Sequence, residues 1–153
     1  MIITLYFFFF IYMYFLNENY ENKLTWKYKI ALQDPAVFDR ISDIRGIKFP
    51  NELKSFIIKN NGATPSSYRF KIGKTERNFG AVLSFNQAKK GTDSVYSALS
   101  VIEDKNLIPF GIDPFGNYIC YSVKNGKVVF WDHETGKVSS TNLLFKKFVD
   151  SLY

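Results

Sequence analysis

His133 is the only histidine in the chain and Cys120 the only cysteine. A Ser-His-Asp or Cys-His device would have to be built on them. Their surroundings argue otherwise. His133 stands in Trp131-Asp132-His133-Glu134-Thr135-Gly136, an apolar run entering a turn, where a histidine makes local hydrogen bonds. It lacks both the second histidine and the helix of a zinc-binding pair. Cys120 lies mid-run in a strand-like segment, the setting of a buried and inert thiol. Gly73 and Gly80 fit neither a G-x-G-x-x-G nor a Walker spacing. Asp113 could ligate a cation, but a lone carboxylate in Asp113-Pro114-Phe115-Gly116-Asn117 is a turn former. Tyr68-Arg69-Phe70-Lys71 mixes rings with positive charge as a base-stacking strand would, yet strand alternation buries those rings. No catalytic, metal or cofactor residue is expected, and the chain reads as a binder that is not an enzyme.

The formal net charge is +6 over 153 residues. A basic balance suits nucleic acid, anionic lipid or an acidic protein. The lysines are dispersed, with only Lys89-Lys90 and Lys146-Lys147 adjacent, so no nucleic-acid arm is formed. The length suits one domain. A single cysteine excludes an internal disulfide and suits a reducing, cytoplasmic setting.

Residues 1–23 form a hydrophobic tail ahead of a single domain at 24–153. Met1 to Leu16 carries no charge, but a membrane span needs about 20 apolar residues. A basic n-region and a small-x-small cleavage site are missing, so it does not read as a secretory signal. Three readings stay open: a short membrane anchor, an aromatic segment docked on the domain, or a true start downstream, for instance at Met13. If the tail inserts, Lys23, Lys27 and Lys29 keep the domain on the cytoplasmic side. Membrane contact is expected only through residues 1–16.

The elements follow from caps, stops and periodicity. Asp34 and Pro35 open a helix over Pro35–Ile44, with Val37, Ile41 and Ile44 inward, and Gly46 ends it. A second helix opens at Phe49-Pro50-Asn51-Glu52, buries Leu53, Phe56 and Ile57 with Ile58 beside them, and stops at Asn60-Asn61-Gly62. Ser67–Ile72 and Ala81–Phe85 read as strands, and Thr92–Ser100 as a short helix with a Thr or Asp cap. Leu107–Ile112, Tyr118–Val123 and Val128–Asp132 are strands. Asn125-Gly126 is taken as a two-residue hairpin loop, which pairs Val123 with Val128, Tyr121 with Phe130, Ile119 with Asp132 and Cys120 with Trp131. A turn at Glu134–Lys137 leads to a strand near Val138–Ser140. Thr141 or Asn142 then caps a last helix that buries Leu144, Phe145, Phe148, Val149 and Leu152. The expected fold is α+β, a mostly antiparallel central sheet flanked by N-terminal helices and a C-terminal helix.

Phe49-Pro50-Asn51-Glu52-Leu53-Lys54-Ser55-Phe56-Ile57, followed by Asn60-Asn61-Gly62-Ala63, resembles a motif of the SUKH superfamily. Three further segments are similar to that family's, in its order: Leu107 to Asp113 with Gly116-Asn117, Val128 to Glu134, and the closing helix Leu144 to Leu152. The resemblance runs over about Trp26 to Leu152. It implies the SUKH fold, with Pro50, Gly62, Asp113, Gly116, Asn117 and Trp131 as scaffold. It implies an immunity protein that neutralises a cognate bacterial toxin by binding it. The alternative it offers is a regulatory scaffold like the fungal cell-wall regulators; nucleic-acid binding rests on the charge alone. The positive charge favours an acidic toxin over a basic nuclease. Candidate contacts are Phe115 and the loop Lys74 to Asn78, chiefly Lys74 and Arg77. Phe115 either anchors a partner or packs beneath its own turn.

Overall fold

The computed structural model describes residues 23–87 and 93–153, together with Tyr6, Phe8, Phe9, Ile11 and Tyr12. Those five are helical and exposed. The choice among anchor, docked segment and late start lies otherwise outside the described residues, as do Lys89-Lys90 and Thr92. Among the described residues no helix is long and apolar enough to cross a membrane.

Helix α1 (Val37–Arg45) starts where Asp34 Oδ1 accepts the Ala36 N–H at 3.0 Å, and it ends at Gly46. Its buried residues are Val37, Phe38, Ile41 and Arg45. Ile44, expected inward, is exposed. The reason lies across the fold. Arg45 Nη1 donates to the carbonyls of Ile102 (2.8 Å) and Asp104 (3.3 Å), which turns the helix toward the arginine.

Helix α2 (Asn51–Asn60) buries Leu53 and Ile57, half-buries Phe56 and leaves Ile58 in solvent. Its stop also ties segments together: Asn61 Oδ1 accepts the Phe85 N–H at 2.8 Å and Asn61 Nδ2 donates to the Ile30 carbonyl at 3.2 Å.

Two small antiparallel sheets come first. They are β1 (Trp26–Lys27) with β2 (Thr64–Pro65), and β3 (Arg69–Ile72) with β4 (Thr75–Asn78). In β3 only Phe70 is fully buried; Tyr68 precedes the strand and is exposed, against the expected alternation. The third sheet has the order β5 (Ala81–Val82), β6 (Leu107–Ile112), β7 (Tyr118–Ser122), β8 (Lys127–Trp131) and β9 (Val138–Leu144), each antiparallel to the next. The expected strand at Ala81–Phe85 thus shortens to two residues. Helix α3 (Val95–Val101) is capped by Ser94, which accepts the Ser97 N–H, and not by a Thr or Asp.

The hairpin of β7 and β8 is displaced by two residues from its expected register. Tyr118 faces Trp131, Ile119 faces Phe130, Cys120 faces Val129 and Tyr121 faces Val128. The connecting loop has four residues, 123–126, closed by the Gly126 N–H to the Ser122 carbonyl at 2.8 Å. Only Gly126 of the Asn-Gly pair has positive φ (69°), whereas a two-residue loop needs it at both. A slip of two preserves the face of every side chain.

The chain's end also differs from expectation. Thr141 and Asn142 belong to β9, and Thr141 Oγ1 donates to the Val128 carbonyl at 2.7 Å. Helix α4 (Phe145–Asp150) therefore starts later, without a side-chain cap, with Leu144 exposed and Phe145 and Phe148 buried. Aromatic edges bind it to two sheets: Phe145 lies 5.3 Å from Phe110 of β6, and Phe148 5.1 Å from Phe70 of β3. Gly111 admits the Phe79 ring, since a Cβ there would meet ring carbons at 2.7 Å. Tyr121 donates to Glu52 Oε1 at 2.7 Å and so anchors α2 on the same sheet. Burial, then that bond, pushes its phenol up to about 12.

Candidate partner-binding surface

Two turns at one end of the large sheet are joined by side chains. In the turn between β6 and β7, Asp113 Oδ1 accepts the backbone N–H groups of Phe115 and Asn117, both at 2.8 Å. Its other oxygen accepts Asn117 Nδ2 at 2.8 Å. Asn117 Oδ1 in turn accepts the His133 backbone N–H at 3.0 Å and lies 2.8 Å from His133 Nδ1. With its Nδ2 committed to Asp113, Asn117 offers an acceptor oxygen to the imidazole, so Nδ1 carries the proton. In the turn between β8 and β9, Asp132 Oδ1 accepts the N–H groups of Glu134 (2.9 Å) and Thr135 (3.0 Å). The Thr135 bond is the main cause holding that carboxyl below its usual range.

Phe115 crowns this frame. It is 74% exposed, which rules out packing beneath its own turn. Next along the sheet, Tyr118 and Trp131 face each other across β7 and β8 with ring centroids 5.7 Å apart, both half-buried, and Val138, paired with Trp131, is exposed. Asp113 and Asn117 are buried under the turn that carries the phenylalanine. An exposed aromatic carried on a turn held by buried side chains has the chemistry of a protein-contact anchor.

The other candidate contacts lie on the β3–β4 hairpin. Lys74 is exposed at the tip between β3 and β4. After the hairpin the chain rejoins the large sheet, where the Gly80 N–H donates to the Ile112 carbonyl at 2.9 Å. Arg77 is half-buried, with its guanidinium 4.8 Å from the Phe130 ring centroid. It is held on the sheet by a cation–π contact. Trp131 and Val138 gave no local signal as surface residues, because burial at a sheet end depends on what covers it.

His133 meets a carboxamide, and Cys120 is fully buried with its thiol pushed well up by that burial. Among the described residues no group of three or more His, Cys, Asp or Glu side chains could hold a metal ion.

The sequence model of the SMI1 / KNR4 family (SUKH-1) matches residues 34–152. The SPbeta prophage-derived uncharacterized protein YokK of Bacillus subtilis (strain 168) is 36% identical over 67 residues, 39% of this chain and 35% of that protein. The match thus spans about a third of that relative's length.

Proposed function

This chain belongs to the SMI1 / KNR4 family (SUKH-1), and from that premise we propose that it is an immunity protein. It binds a cognate bacterial toxin and neutralises it stoichiometrically, without turnover. The family match over residues 34–152 carries this reading, a span that includes both joined turns and Phe115. A relative of prophage origin suits a toxin–immunity locus that moves between genomes. Contact is made through Phe115 and the Tyr118–Trp131 face, an aromatic anchor on a stiff support. The net charge of +6 steers the chain toward an acidic toxin surface.

Co-expression with the product of a neighbouring toxin gene tests this. Protection saturates near one-to-one, and His133→Ala and Cys120→Ser still protect as long as they fold. Phe115→Ala keeps its melting temperature but weakens toxin binding about 30-fold or more, as truncation of a hot-spot aromatic does. Protection far below stoichiometry, or a folded His133→Ala that binds toxin yet no longer protects, would point to turnover and defeat the reading.

A further inference from the structure

The loop after β1 holds an aromatic ring in solvent. Tyr28 takes φ 60°, a left-handed conformation that bulky residues rarely adopt, and it is 80% exposed. Ile30 is 51% exposed, and the exposed Lys27 and Lys29 flank the tyrosine. Beside the loop runs an open groove of about 570 Å³ with Leu24, Trp26 and Phe56 in its lining and Lys29 and Lys59 among its polar residues. Lys23 is exposed, and the described residues Tyr6, Phe8, Phe9, Ile11 and Tyr12 are helical and 40–69% exposed.

This is the chemistry of a bilayer interface. Tyrosine and tryptophan settle at headgroup depth, phenylalanine enters the acyl boundary, and lysines hold anionic headgroups. Lys23, Lys27, Lys29 and Lys59 give this region its positive charge.

We propose that the chain docks on bilayers containing anionic lipid, through Tyr6, Phe8, Phe9, Ile11 and Tyr12 and the Tyr28 loop, with Lys23, Lys27, Lys29 and Lys59 on the headgroups. Co-sedimentation of the full chain with vesicles tests this, using phosphatidylcholine alone and phosphatidylcholine mixed with phosphatidylserine. The mixed vesicles carry the chain down, and added salt releases much of it. Lys23→Gln, Lys27→Gln and Lys29→Gln combined lower partitioning about a hundredfold, near five-fold for each lysine. Phe8→Ser with Phe9→Ser, and separately Tyr28→Ser, weaken it without changing the melting temperature. Three results would overturn the proposal: no binding to either vesicle, equal binding to both, or pelleting without lipid, which marks a second copy as the occupant. No toxin enters the assay, so its outcome is independent of the immunity reading.

Discussion

The turn Asp113–Asn117 and the loop at 123–126 both join neighbouring strands of one sheet, yet they are secured in different ways. The first is built around a buried carboxylate and a buried carboxamide, which serve three donors within the turn and two groups of His133 beyond it. The second has one side-chain bond, from the Lys127 N–H to Asn125 Oδ1 at 3.0 Å, and exposed residues at its tip. Its shape comes from strand pairing and one left-handed glycine. A turn fixed by its own side chains can aim an exposed ring such as Phe115; a turn fixed by its strands only connects them.

Substitutions can break or sharpen that contrast. Asp113→Ala has the largest expected effect. It leaves the Asn117 amide groups without their acceptor in a buried place, at a cost of about 3 kcal/mol. A urea titration measures this, and a loss smaller than that of Gly126→Val would mean that the two turns do not differ as described. Gly126→Val costs roughly 1 kcal/mol or more, because a β-branched residue is forced to positive φ. An unchanged melting temperature there would remove the glycine from its structural role.

Tyr121→Phe sharpens the picture with the smallest effect at neutral pH. The phenol's folded pKa is raised from 10.0 to about 12. Its contribution is therefore fully present below pH 10 and lost as pH rises toward 12. Melting temperatures across that window should fall less steeply in Tyr121→Phe than in the parent chain. Parallel slopes would mean that the phenol is not raised in solution, with neither the burial nor the bond to Glu52 acting on it.

Much of this protein was legible from local chemistry. Caps, stops and turn formers act over a few residues, so Gly46, Asn61-Gly62, Asp113–Asn117 and Glu134–Lys137 mark boundaries that the structure keeps. The α+β order and the Phe145–Phe148 inner face follow from the same short-range rules. The family-like segments in order were enough for the SUKH assignment.

What the sequence left open is decided by partners distant in the chain. Asn-Gly suits a two-residue loop and a four-residue loop alike, and a slip of two leaves strand alternation unchanged. The cross-strand contact of Tyr118 with Trp131, tilted at 31°, goes with the register found. Arg45 goes inward, and Ile44 outward, because carbonyls some fifty residues later need a donor. Arg77 is drawn onto Phe130 and Thr141 onto the Val128 carbonyl in the same way. Exposure of Phe115 and Tyr28 is likewise tertiary. A residue type carries a preference, but only the packed chain determines whether anything covers it.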